Sequence, residues 1–164
     1  MRALVKARPG KGRTLKEVPA PRPGPRDVLI RVKRVGLCGT DSHIYAWNAW
    51  AAGRIKPPVT IGHEFAGVIE QIGPEVTGYA PGEIVTAEGH LACGVCLQCR
   101  TGNAHICRYV KIIGVDIDGA FADFIVMPAG NVWKIDPEIP LDVAALHDPL
   151  GYAFQSVVSA DVRG

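Results

Sequence analysis

Charge of one sign is in short supply in this chain: 18 lysines and arginines against 16 aspartates and glutamates leave a formal charge of +2. So small a surplus provides no field to hold a nucleic-acid backbone or an anionic membrane surface, and neither is expected as a partner. Long apolar runs are missing too. None approaches the length of a membrane-spanning helix, and the opening Met1-Arg2-Ala3-Leu4-Val5-Lys6-Ala7 lacks the apolar core of a secretory signal. Internal repeats and low-complexity tracts are absent. With 48% hydrophobic and 21% charged residues, the 164-residue chain is expected to fold as a soluble globular domain in a reducing cytoplasm. That compartment argues against a disulfide framework, and an odd total of five cysteines would leave one thiol over.

Glycine and proline, by contrast, are plentiful: 19 Gly and 13 Pro separate short runs rich in Val and Ile. This punctuation predicts a mainly β fold with short helices. Residues 1–7 and 15–18 are expected to pair as a first hairpin. In Val28-Leu29-Ile30-Arg31-Val32-Lys33 the alternation places Val28, Ile30 and Val32 on a core face. Further strands are predicted over 64–72, 84–86, 121–127 and 132–135, with Pro128 ending one of them because it cannot donate to a ladder. Beyond Asp136 the pattern turns helical over 140–146 and 149–158, each opened near a proline, with Asp148 as an expected N-cap.

Four of the five cysteines, Cys93, Cys96, Cys99 and Cys107, fall within fifteen residues in the spacing C-x2-C-x2-C-x7-C. Four soft thiolates so close together suit one tetrahedral metal ion, zinc by default, with no coordination position left for chemistry. Two adjacent disulfides and a redox C-x-x-C pair are the competing readings. A zinc ribbon for nucleic acid is a further alternative, which the few basic neighbours, Arg100, His105, Arg108 and Lys111, disfavour.

A reactive site must then lie elsewhere. Three segments carry suitable side chains: Gly36-Leu37-Cys38-Gly39-Thr40-Asp41-Ser42-His43, Gly62-His63-Glu64 and Asp148-Pro149-Leu150-Gly151. A catalytic zinc takes three protein ligands and keeps a position open. Cys38 and His63 offer thiolate and imidazole, and either Glu64 or Asp148 offers a carboxylate. Taken singly, Cys38 reads as a small buried apolar residue, His63 as a hydrogen-bonded ring and Asp148 as a helix cap. Their co-occurrence with the four-cysteine cluster favours the metal.

These motifs in this order (C-G-T-D-x-H, G-H-E-F-x-G, then the cysteine cluster) resemble the zinc-dependent medium-chain alcohol dehydrogenases across essentially the whole chain. Thr40-Asp41-Ser42-His43-Ile44-Tyr45-Ala46-Trp47-Asn48-Ala49-Trp50 and Glu88-Gly89-His90 resemble the L-threonine 3-dehydrogenases within that family. The resemblance implies a GroES-like, partly open β-barrel over 1–147 with a zinc loop at 88–110. Residues 148–164 would begin a linker helix toward an NAD-binding Rossmann domain. It implies a catalytic zinc on Cys38, His63 and Glu64 and a structural zinc on Cys93, Cys96, Cys99 and Cys107. Thr40 and His43 would relay a proton, Asp148 would tune that relay, and His90 would help select the substrate. The substrate implied is a small alcohol, L-threonine, oxidised with NAD by a homotetramer of the full-length parent; a sorbitol-like polyol or a simple alcohol is the runner-up.

Two residues depart from the pattern: His147, where an apolar or acidic residue is expected, and Tyr152, where the subgroup usually has Asn. The G-x-G-x-x-G dinucleotide loop does not occur, and Gly10-Lys11-Gly12 is too isolated to replace it. The chain is therefore expected to be a fragment, inactive alone. A stand-alone zinc-binding structural module, kept for assembly or interaction, is the rival, and an unfilled apolar surface around Leu150–Val158 would then be exposed.

Overall fold

A computed structural model describes residues 1–161; the last three positions of the expected linker segment, 162–164, lie outside the described residues. The first strand, β1 (Arg2–Lys6), pairs antiparallel with β2 (Thr14–Glu17), so the expected first hairpin forms. The next strand, β3 (Asp27–Val35), runs into two helices that the sequence reading did not anticipate, α1 (Gly39–Ala46) and α2 (Ala49–Arg54). Trp47 separates them in the left-handed region, φ 59°, and Asn48 caps α2 by accepting the Ala51 N–H at 3.0 Å. Then follow β4 (Val59–Thr60), β5 (Phe65–Ile72), β6 (Ile84–Ala87) and β7 (His90–Leu91). The cysteine lobe contains α3 (Leu97–Arg100) and closes on β8 (Lys111–Ile112), which pairs with β7. The chain continues through β9 (Phe124–Pro128), β10 (Val132–Lys134), α4 (Leu141–Ala144) and α5 (His147–Ser159).

The principal sheet has the order β10-β6-β5-β3-β9, and β2-β1-β4 forms a second sheet. Alternation along β3 buries Val28 and Ile30 completely, where they meet Phe65, Ile69, Val85, Ile125 and Met127. A second cluster, Ile44, Ala51, Ile55, Ile61, Val115 and Phe121, seats α1 and α2 against the β2-β1-β4 sheet. The strand expected over 121–127 starts later, at Phe124; Phe121 to Asp123 instead cross to β1 through an isolated bridge, Ala3 to Ala122.

Asp148 is not the N-cap. The helix begins one residue before it, with Leu146 at the cap position, and the carboxylate sits in the first turn facing Glu88 and His90. None of the described residues of α5 is buried, and Leu150, Phe154 and Val157 stand 67%, 69% and 53% exposed. No helix of the described residues is long and apolar enough to cross a membrane.

The antiparallel pairing decides where chemistry collects. Val35 at the end of β3 lies opposite Phe65 at the start of β5, and Gly67 of β5 lies opposite Val85 of β6. The exit of β3, the entry of β5 and the exit of β6 therefore share one end of three adjacent strands. Residues 36–38, 62–64 and 88–90 emerge there side by side.

Candidate functional site

Two glycines shape the approach to this end. The N–H of Gly36 donates to the carbonyl of Glu64 at 3.0 Å, extending the β3–β5 pairing by one step. A Cβ on Gly36 would lie 2.2 Å from Glu64 Oε2, so only glycine leaves room for that carboxylate. Gly62 has φ +94° and turns the chain before β5 begins. The turn lets two adjacent residues aim at one point. Successive residues of a regular strand point to opposite faces, but His63 and Glu64 precede the strand and present donor atoms to one point.

There Cys38, His63 and Glu64 place a sulfur, a ring nitrogen and a carboxylate oxygen within 4.8 Å of one another. His63 and Glu64 are buried, 7% and 6% exposed. Burial pushes the Glu64 carboxyl above its ordinary range, and the nearby Asp148 carboxylate adds to the effect. His63 Nδ1 has no hydrogen-bond partner despite being buried. A mixed S, N, O donor set with an orphaned ring nitrogen in a buried pocket is the arrangement a zinc ion satisfies, and these residues fit that ion.

Asp41 was not singled out from the sequence. It is 1% exposed, and its Oδ2 accepts the backbone N–H of Cys38 at 3.0 Å, which fixes the start of α1 and the direction of the Cys38 side chain. Burial raises its pKa, opposed first by that hydrogen bond and then by His63. Its Oδ1 is also unpartnered, so a protonated or metal-bound His63 would be welcome beside it. The polar D in C-G-T-D could have signalled this, since a carboxylate three residues after the cap position reaches back to the cap N–H.

Thr40 lies next to this cluster, its Oγ1 3.7 Å from Cys38 Sγ. His43, one turn further along α1, is exposed; its Nδ1 is 3.0 Å from Asn48 Nδ2 and its ring meets Trp50 edge-on at 6.3 Å. Among the described residues no hydrogen bond joins Thr40 to His43. Trp47 belongs to the interior instead. It packs on the second core cluster, and the buried Lys6 lies 4.6 Å from its ring centroid. Lys6 Nζ donates to the carbonyls of Gly10 and Gly12, and burial lowers its pKa. Gly10-Lys11-Gly12 thus forms a clasp on a buried cation, not a phosphate loop.

A second polar group adjoins the first. Glu88, His90 and Asp148 bring donor atoms within 4.8 Å of one another. Glu88 Oε1 accepts both the backbone N–H of His90, at 2.7 Å, and its Nδ1–H, at 2.6 Å. That contact holds the Glu88 carboxyl below its usual range and raises the His90 imidazole. Asp148 moves upward through burial and then through repulsion by Glu88. Asn131, also missed in the sequence, fastens this segment: its Nδ2 donates to the carbonyls of Glu88 and His90 at 3.0 and 3.2 Å.

In the lobe, the Sγ atoms of Cys96 and Cys99 are 3.5 Å apart, those of Cys96 and Cys107 3.9 Å, and those of Cys93 and Cys99 4.0 Å. A tetrahedron of sulfurs at about 2.3 Å from zinc has edges of about 3.8 Å. The backbone N–H of Cys99, and then that of Arg108, brings the Cys96 thiol down to about 6. Burial and the neighbouring sulfurs push Cys99 up to about 12. Cys99 is thus held back from ionising beside Cys96, which a central cation would offset, and this donor set too fits zinc. All five cysteines are free thiols, which sets aside the disulfide reading.

Comparison with known proteins bears on the family and the fold. The alcohol dehydrogenase GroES-like domain matches residues 24–137. Over 164 residues the chain is 51% identical to an L-threonine 3-dehydrogenase of Caldanaerobacter subterraneus subsp. tengcongensis, covering 100% of this chain and 47% of that protein. Among solved structures, a zinc-binding dehydrogenase from Sinorhizobium meliloti bound to NADP superposes with a TM-score of 0.86 at 33% identity, over 95% of this chain and 44% of that one. The alcohol dehydrogenase TADH from Thermus sp. ATN1 superposes with a TM-score of 0.87 at 31% identity, over 99% and 48%. The chain spans about half the length of the curated relatives it matches. The match to the domain over most of its residues, on a mainly β fold shared with these dehydrogenases, shows that the chain belongs to the GroES-like domain family of the alcohol dehydrogenases.

Proposed function

We propose that this chain supplies the zinc-binding half of an L-threonine 3-dehydrogenase, oxidising the secondary alcohol of L-threonine to 2-amino-3-oxobutanoate with NAD as hydride acceptor. The observation that carries the reading is the convergence of Cys38, His63 and Glu64 at one end of the sheet. The 48% and 51% identity to proteins of that name, over nearly all of this chain, supports the substrate. Residues 1–147 form the zinc-binding domain in this reading, and α5 opens the connection to an NAD-binding part that these 164 residues do not include.

Cys38, His63 and Glu64 would hold the catalytic zinc, and Cys93, Cys96, Cys99 and Cys107 the structural one. A zinc ion in the first site acts as a Lewis acid that lowers the pKa of a bound hydroxyl. Thr40, beside Cys38, would accept a hydrogen bond from that hydroxyl while releasing its own hydroxyl proton, and the exposed His43 would receive that proton through a bridging group and pass it to solvent. Asp41 holds the Cys38 backbone while this happens. Asp148 and Glu88 present negative charge where an amino group would sit, and His90 is fixed between them.

The test is oxidation of L-threonine, sorbitol and ethanol by the full-length form of this protein, followed by NADH absorbance, with zinc counted by atomic emission. Threonine turnover far above the other two, with two zinc ions per chain, supports the reading. Preference for sorbitol or ethanol would reassign the substrate. Turnover that survives Cys38→Ser would remove Cys38 from the site.

A further inference from the structure

Tyr152 departs from the residue expected at its position, and the structure gives it a specific partner. Its hydroxyl lies 3.0 Å from His90 Nε2, and the two rings meet edge-on with centroids 6.0 Å apart at 78°. The other ring nitrogen of His90 is already committed to Glu88 at 2.6 Å. A carboxylate accepts only, so Nδ1 carries the proton, and in the neutral ring Nε2 is left as an acceptor for the tyrosine O–H. The phenol oxygen then keeps lone pairs free for one further donor.

That oxygen faces a groove of about 780 Å³ lined by Glu88, His90, His147, Asp148, Tyr152 and Gln155. Tyr152 follows Asp148 by one helical turn, so both reach the groove from the same face of α5. Two carboxylates, Glu88 and Asp148, lie close enough to share a ligand with His90. A substrate carrying an ammonium meets two anions and a phenolic acceptor here; an alcohol without one leaves all three unmatched. The rigid ring forms part of the groove wall.

We propose that Tyr152 is a specificity-determining residue, which locks the His90 imidazole opposite Glu88 and offers its oxygen to the ammonium group of a short amino alcohol. This inference rests on the dehydrogenase reading above, and it concerns which alcohol is chosen, not the oxidation itself.

The experiment compares the full-length protein with its Tyr152→Phe variant on L-threonine and on 2-butanol, an alcohol of the same carbon skeleton without ammonium or carboxylate. Loss of one hydrogen bond to a charged group should lower the threonine-to-butanol ratio of kcat/KM about tenfold, mainly through the KM for threonine. In parallel, ¹⁵N spectra of His90 in this chain should show Nε2 as a hydrogen-bonded acceptor. In Tyr152→Phe, Nε2 should move to its unbonded position while Nδ1 stays. An unchanged ratio in a variant that still oxidises threonine overturns the role of Tyr152 and leaves the dehydrogenase reading standing. No threonine oxidation by the unsubstituted protein overturns that reading, and this inference with it. Should the variant not fold, the unsubstituted chain decides: a His90 Nε2 without a hydrogen-bonded proton refutes the contact.

Discussion

Replacing Gly62 with alanine should damage both stability and the proposed metal site, by an amount that follows from its surroundings. With φ at +94°, an alanine there is strained whatever the space, at a cost of roughly 1–2 kcal/mol. Space is also lacking: an added Cβ would lie 2.1 Å from Cδ1 and 2.5 Å from Cγ and Cε1 of Phe121. That ring is 8% exposed and packed in the cluster with Ile44, Ile61 and Val115, so it cannot swing aside freely. Overpacking of this kind costs typically about 1–3 kcal/mol. The sum, about 2–5 kcal/mol, corresponds to a fall in Tm of roughly 4–20 °C for a chain of this size. The local backbone is also shared, since Gly62 accepts the Ala120 N–H at 2.9 Å and leads directly into His63. Relief of the clash must therefore move the imidazole, and cobalt(II), used as a visible probe of the Cys38–His63–Glu64 site, should bind at least tenfold more weakly. Thermal unfolding by circular dichroism and a cobalt titration check both parts. A Gly62→Ala protein within about 0.5 kcal/mol of the parent, with an unchanged titration, would refute the argument.

If the lobe holds the structural zinc proposed above, removing that metal should release the lobe while leaving the sheet intact. Val95, Leu97 and Ile106 are 75%, 73% and 61% exposed, so little apolar burial holds this segment. Structural zinc contributes about 10–16 kcal/mol in small domains, and losing a third of that raises the open population about a thousandfold. Chelation or Cys96→Ser should abolish amide protection over 93–107 in hydrogen exchange, and retained protection would count against a metal there. Asp41→Ala should cost about 1–3 kcal/mol in urea unfolding, because the Cys38 N–H loses its acceptor; an unchanged midpoint would show that solvent replaces it. Glu88→Gln should lower Tm in a pH-dependent way. Glu88 titrates below its ordinary 4.5, so its share of stability is present above pH 4.5 and lost as pH falls through the lowered value. His90 titrates above 6.5, so its share is complete below pH 6.5 and lost as pH rises through the raised value. The deficit of Glu88→Gln should thus be largest between pH 4.5 and 6.5, at no more than about 1 kcal/mol because both groups are partly solvated. A difference in Tm that does not vary with pH would disprove the coupling.

Much of the fold was legible in the residues themselves. Alternation in Val28–Val32 marked a strand with one buried face, and β3 buries Val28 and Ile30 as expected. The segment Gly39–Arg54 was not legible as helix, because Trp47 in the left-handed region interrupts any helical period after eight residues. Asp148 misled for a related reason. A polar residue before proline has the signature of a cap, yet α5 starts at His147 and the carboxylate joins Glu88 and His90.

By itself the sequence determined which atoms are available: four sulfurs within fifteen residues, whose short separations alone bring them together, and a thiolate, an imidazole and several carboxylates elsewhere. Only the tertiary structure decided that these last share a site. Cys38 and His63 are 25 positions apart, and no local rule joins them. The register that sets Val35 against Phe65, and Gly67 against Val85, brings the ends of three strands together. The same is true of Tyr152 and His90, 62 residues apart and joined by one hydrogen bond. Strand pairing at long range depends on which hydrophobic faces can be buried together, and that is a property of the whole chain.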